Sequence, residues 1–152
     1  MSQRPRRARP AVILLADDDP GDQNLTRRAF AKAKLSNDLR VVADGEEALD
    51  YLLHRGRYAD PASAPRPDLM LLDLNMPKLD GREVLRQIRA RDDLRRLPVV
   101  VMTTSQQEED ILRSYDLGAN SYLTKPVSME QFLRVAEGLD DYWFQLVVLP
   151  PA

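Results

Sequence analysis

Strand-length apolar runs alternate with stretches of helical spacing along most of this chain, and that alternation leaves few folds open. Runs near 12–16, 39–43, 68–73, 97–103 and 120–124 are too short for buried helices and are separated by segments whose apolar residues recur every three to four positions. Such alternation builds βαβ units around a mainly parallel sheet covered on both faces. An α/β doubly wound sheet is the expected fold class, and 152 residues suffice for one such domain with a substantial core.

The connecting segments carry helix signals. Asp19-Pro20-Gly21-Asp22 offers an N-cap followed by proline at the first helical position, after which Leu25, Ala29 and Ala33 recur with Phe30 beside them. A second helix is expected after Asp44-Gly45, with Ala48, Leu49, Leu52 and Leu53 on one face and an end near Gly56. The proline-rich stretch 60–67 reads as a surface loop. A third helix follows Asp80-Gly81 and buries Val84, Leu85 and Ile88; a fourth runs through Ile111, Leu112 and Tyr115 toward Gly118; a fifth carries Phe132, Leu133, Ala136 and Leu139.

Chemistry concentrates where the strands end. The run before Asp73 stops in an acid followed at once by Leu74-Asn75-Met76-Pro77, and the first run stops in Asp17-Asp18-Asp19. Two acidic clusters brought to one rim would repel at roughly 1 to 4 kcal/mol per pair unless a cation lay between them. A divalent ion with oxygen ligands, Mg²⁺ by preference, suits such a site. In doubly wound sheets ligands gather beyond the carboxyl ends of the strands, where Thr103 and Lys125 also fall. Carboxylates, a hydroxyl and an ammonium around Mg²⁺ suit phosphoryl transfer, which needs positioning and charge neutralisation above all. Asp73 is then the nucleophile that forms an acyl phosphate. Asp17, Asp18, Asp73 and the backbone carbonyl of Asn75 are the metal ligands, Lys125 pairs first with Asp73 and then with a phosphoryl oxygen, and Thr103 donates a hydrogen bond to another.

Composition removes other functions. No cysteine is present, so disulfides, zinc-thiolate centres and thiol nucleophiles are excluded, in keeping with a reducing cytoplasm. Apolar runs are only strand-length and no signal-peptide pattern opens the chain, so a protein without membrane attachment is expected. The net charge of -2 argues against a general nucleic-acid binder. Residues 1–10, with Arg4, Arg6, Arg7 and Arg9 interrupted by Pro5 and Pro10, read as a disordered basic tail. The only histidine, His54, lies toward a helix end, where interaction with the helix C-terminus accounts for it.

The acidic pair Asp17-Asp18, Asp73 within Asp73-Leu74-Asn75-Met76-Pro77, Asp80-Gly81, Thr103 after Leu97-Pro98-Val99-Val100-Val101-Met102, and Tyr122-Leu123-Thr124-Lys125-Pro126 together resemble the receiver domains of two-component response regulators, from about 10 to 141. The resemblance implies a flavodoxin-like five-stranded sheet of order 2-1-3-4-5. It implies phosphate acceptance on Asp73 from a sensor histidine kinase, with catalysis limited to the protein's own phosphorylation and dephosphorylation. A switch is implied in which the Thr103 hydroxyl moves toward the phosphoryl group and Tyr122 turns into the space left, and a cis Lys125-Pro126 bond is implied too. Where the family often carries asparagine, Asp19 follows the acidic pair; it is assigned to helix capping, although a register one residue later would make Asp18 and Asp19 the ligands.

The segments Gly81-Arg82-Glu83-Val84-Leu85, Ser114-Tyr115-Asp116-Leu117, Asn120-Ser121-Tyr122 and the tail 142–150 are similar to the small stand-alone regulators that partner phytochrome kinases of bacteria and cyanobacteria. That likeness implies a bacteriophytochrome as kinase and a homodimer built with the C-terminal extension 143–152, beyond a receiver domain at 11–142. Independently, the run at 142–150 is too apolar for a solvated terminus, and Trp143, Phe144, Leu146 and Val148 are the candidate contacts. Too few residues follow the fifth helix for a DNA-binding helix-turn-helix. Two other readings compete. A phosphohydrolase resembling the haloacid dehalogenases needs an acid two positions after the nucleophile, and Asn75 stands there. A flavin-binding or phosphorylation-independent scaffold would leave the acidic cluster without a use.

Overall fold

A computed structural model describes residues 10–33, 36–104, 121–135 and 137–138. Five strands, β1 (Ala11–Ala16), β2 (Asn37–Val42), β3 (Leu69–Asp73), β4 (Val99–Thr103) and β5 (Ser121–Thr124), form one sheet in the order β2-β1-β3-β4-β5. Every pairing is parallel. The helices among the described residues are α1 (Pro20–Lys32), α2 (Gly45–Leu53), α3 (Gly81–Ala90) and α4 (129–135). The expected fourth helix, through Ile111 to Gly118, lies outside the described residues, as do Ala136 and Leu139 of the fifth and the tail with Trp143, Phe144, Leu146 and Val148.

The period-2 alternation of a strand sends successive side chains to opposite faces, which divides the interior in two. Leu14, Ala16, Met70, Leu72, Val99 and Val101 pack with Ala48, Leu49 and Leu52 of α2 and Val84, Leu85 and Ile88 of α3. Ile13, Leu15, Leu69, Leu71, Val100 and Met102 face Ala29 and Phe30 of α1 and Phe132 of α4. β1, β3 and β4 are buried along their whole length, which explains why they read as unbroken apolar runs. β2 is an edge strand, and its Asp38 and Arg40 pair in a two-pronged contact at 2.9 and 3.0 Å that leaves a charged margin.

Helix starts follow the local signals. Asp19, Asp44 and Asp80 each accept a backbone N–H from the first turn of α1, α2 and α3. The end of α2 differs from expectation. It stops at Leu53, and the cap is His54 (φ 55°), with the N–H groups of His54 and Arg55 closing onto the carbonyls of Tyr51 and Asp50; Gly56 is left-handed too but lies beyond the cap. Gly56 (φ 58°) opens a short 3₁₀ turn, Gly56–Tyr58. The His54 side chain ties the helix end to the loop that follows: its Nε2 donates to the Ala64 carbonyl at 2.8 Å. With Tyr51 Oη donating to the Pro65 carbonyl (2.8 Å), this pins the proline-rich loop. That loop is only partly a surface element, since Ala64 and Pro67 are buried and Pro61–Ser63 forms a further 3₁₀ turn.

Candidate functional site

Strand order decides where the chemistry meets. β1 has β2 on one side and β3 on the other, so the connections leaving β1 and β3 diverge between those strands and leave a crevice at their carboxyl ends. Ala16 is in register with Leu72, which sets Asp17 beside Asp73. Asp73 is in register with Met102, and Thr103 with Thr124, so Thr103 and Lys125 complete the same rim. The Lys125 N–H donates to the Thr103 carbonyl at 2.7 Å, and the Lys125-Pro126 bond is cis.

Carboxylate oxygens of Asp17, Asp18 and Asp73 lie within 4.8 Å of one another. The Asp17 and Asp73 side chains are nearly sealed, with 1 % and 2 % of their surface accessible, whereas Asp18 is exposed. Asp19 turns away to cap α1, accepting from the Asp22 N–H at 3.2 Å, so the oxygen cluster is made by Asp17 and Asp18 and the one-residue register shift does not occur. Backbone N–H groups steer the two buried acids: that of Asp19 donates to Asp17 Oδ1 at 2.9 Å and that of Asn75 to Asp73 Oδ1 at 3.0 Å. Lys125 Nζ donates to Asp17 Oδ2 (3.0 Å), Asp73 Oδ2 (2.9 Å) and Asp22 Oδ2 (2.7 Å).

Charge is unbalanced here: Asp17, Asp18, Asp22 and Asp73 face a single ammonium among the described residues. Burial dominates at Asp17 and lifts its carboxyl from 3.8 to about 6, against the opposing pull of the Asp19 N–H and Lys125. For Lys125 burial works toward lowering its pKa, but its hydrogen bonds to Asp22, Asp73 and Asp17 together outweigh that and hold it above the usual lysine range. Three hard oxygen donors around an under-neutralised pocket fit a divalent cation of the Mg²⁺ class.

Thr103 is fully buried at the end of β4. Tyr122 is in register with Val101, which places it on the same face of the sheet as Thr103, where it is partly buried against the α2/α3 side of the core. The exposed Asn75 follows Asp73 at the rim, and its Nδ2 donates to Thr104 Oγ1 at 3.3 Å. Three pocket residues escaped the sequence reading: Asp22, Thr104, and Gln23, whose Nε2 donates to the Asp17 carbonyl at 2.7 Å. Asp22 was legible only as part of a capping motif, although an acid in the first turn of a helix that starts at an acidic rim is a usable signal.

Residues 13–137 match the model of the response regulator receiver domain. The response regulator Rcp1 of Synechocystis sp. is 41% identical over 94% of this chain and 95% of its own, and the structure of its Mn(2+)-bound form superposes with a TM-score of 0.74 at 93% and 100% coverage. The phosphorylated cyanobacterial phytochrome response regulator RcpA is 42% identical, covering 94% of this chain and 100% of that one, with a TM-score of 0.76. The bacteriophytochrome response regulator RtBRR is 44% identical over 86% and 78%, with a TM-score of 0.78. These likenesses span the strand-end acids and the lysine together, and with the 2-1-3-4-5 sheet they show that the chain belongs to the receiver domain family and is a response regulator of two-component signalling.

Proposed function

We propose that Asp73 is the phosphoacceptor and that a sensor histidine kinase, of the phytochrome type, is the donor. The observation that carries this reading is the convergence of Asp17, Asp18 and Lys125 on Asp73, the one member of the group that ends a central strand. In the transfer the phosphorus–nitrogen bond of a phosphohistidine breaks as a phosphorus–oxygen bond to Asp73 forms, and the departing imidazole keeps the bond pair and takes up a proton. Asp17, Asp18, Asp73 and the Asn75 carbonyl would hold Mg²⁺, which when bound neutralises charge on the phosphoryl oxygens. Lys125 gives a proton donor to one of these oxygens and Thr103 to another. The new group brings about -1.5 to -2 charges, drawing the Thr103 hydroxyl inward and freeing space for Tyr122, a two-state change that the acyl phosphate biases. Asn75 in place of an acid disfavours rapid hydrolysis, so a signal and not turnover is the product; the protein catalyses only its own phosphorylation and dephosphorylation.

The phytochrome assignment rests on RcpA and RtBRR, whose names tie those relatives to phytochromes. Output by contact with other proteins, a cytoplasmic location and homodimerisation through 143–152 complete the reading; no helix among the described residues is long and apolar enough to cross a membrane. The test is phosphotransfer from an autophosphorylated bacteriophytochrome kinase to wild type and to Asp73→Asn. Label should pass to wild type in the presence of Mg²⁺ and not to the variant; label on Asp73→Asn would refute the assignment.

A further inference from the structure

Lys125 is held by more than the two buried acids. Its ammonium has three protons, and each meets a carboxylate: Asp17 at 3.0 Å, Asp73 at 2.9 Å and, nearest of all, Asp22 at 2.7 Å. Asp22 differs from the other two. It comes from the first turn of α1 and not from a strand end, 28 % of its side-chain surface is accessible, and it stands outside the oxygen cluster of Asp17, Asp18 and Asp73. Its backbone is independently fixed, the N–H on the Asp19 cap and the carbonyl accepting from Thr26 Oγ1 at 2.8 Å, so its carboxylate is aimed by the helix.

Phosphorylation of Asp73 changes the three partners unequally. Once Asp73 carries a phosphoryl group its oxygens lose their charge and become weak acceptors, and Asp17 would share its charge with any cation held in the cluster. Asp22 alone keeps a full, uncommitted carboxylate. We propose that Asp22 is a positioning residue that anchors the Lys125 ammonium at the rim throughout phosphoryl transfer, so that the proton released by Asp73 turns directly to a phosphoryl oxygen. The inference rests on Asp73 being the phosphoacceptor. Without the anchor a flexible four-carbon side chain samples other rotamers, and misplacement of a charge-stabilising group by an ångström is enough to slow a reaction substantially.

Asp22→Asn preserves shape and backbone contacts while removing the charge; Asp22→Glu restores the charge on a longer arm. With acetyl phosphate as donor and saturating Mg²⁺, the limiting phosphorylation rate of Asp22→Asn should fall about tenfold, with Asp22→Glu recovering part of the loss. The Mg²⁺ dissociation constant measured by calorimetry without phosphodonor should change less than about threefold, because Asp22 is no ligand. A second readout needs neither metal nor donor. The chain has four lysines, and the Lys125 ammonium protons, observed by nitrogen-15 NMR, should exchange with water several-fold faster in Asp22→Asn. A variant that is phosphorylated as fast as wild type, or that loses rate and Mg²⁺ affinity in parallel with unchanged ammonium exchange, overturns the proposal. Wild type that takes up no phosphate would instead defeat the phosphoacceptor reading on which it rests.

Discussion

Asp17 illustrates a residue whose placement opposes stability. Its carboxyl titrates near 6 in the fold against 3.8 as a free side chain, chiefly because burial disfavours the charge. The folded state therefore binds the proton more tightly than the unfolded chain, and its contribution is complete below about pH 3.8 and lost as the pH rises through about 6. At neutral pH the ionised side chain costs on the order of 3 kcal/mol. Asp17→Asn is expected to raise the urea midpoint of the metal-free protein at pH 7, to leave it little changed at pH 4, and to weaken Mg²⁺ binding; calorimetry and equilibrium unfolding check both effects. Lys125→Met should act in the opposite sense. It strips two buried carboxylates of their cation, and a loss of about 3–5 kcal/mol at pH 7 is expected, shrinking as acid protonates Asp17. Unfolding curves at pH 7 and pH 5 measure the difference.

At the scale of the elements, the loop that joins β3 to α3 is fitted to its neighbours by missing side chains. A methyl group at Gly81 would lie 2.7 Å from the Asp73 carbonyl oxygen and 2.7 Å from Leu74 Cα, and one at Gly45 would lie 2.1 Å from the Leu79 carbonyl oxygen. Helix α3 thus starts against the backbone of Asp73 itself. Gly81→Ala is expected to cost about 1–3 kcal/mol and to slow phosphorylation by displacing Asp73, whereas Ala90→Gly at the far end of the same helix should leave the phosphorylation rate unchanged; thermal melts and phosphorylation kinetics separate the two.

The helix starts were legible in the sequence because Asp19, Asp44 and Asp80 act through bonds within three residues. Strands β1, β3 and β4 were legible because burial on both faces leaves uninterrupted apolar runs. The end of α2 was missed because the glycine that looked like a terminator serves a 3₁₀ turn, while His54 takes the left-handed position and tethers a loop ten residues on. Asp22 was missed for a related reason: its partner is 103 positions away, and only the parallel sheet brings Lys125 to the start of α1. The strand-end residues Asp17, Asp73, Thr103 and Lys125 could be placed together in advance because a doubly wound sheet collects its carboxyl termini at one edge.

For the molecule as a whole, fold and charge are arranged around a deficit of positive charge at that edge. A cation that binds the native cluster and not the unfolded chain must raise the melting temperature. Millimolar Mg²⁺ is expected to stabilise wild type and to do so much less in Asp17→Asn or Asp18→Asn, as thermal unfolding with and without the metal will show. On the proposed reading, that deficit is what prepares the pocket around Asp73 for a phosphoryl group held with a cation. The most direct measurement is intact-mass spectrometry of wild type and Asp73→Asn after incubation with a small phosphodonor, with Mg²⁺ or with a chelator. One phosphoryl group on wild type, dependent on Mg²⁺ and absent from the variant, is the expected result; an unmodified wild type, or a variant that gains the same mass, would contradict it.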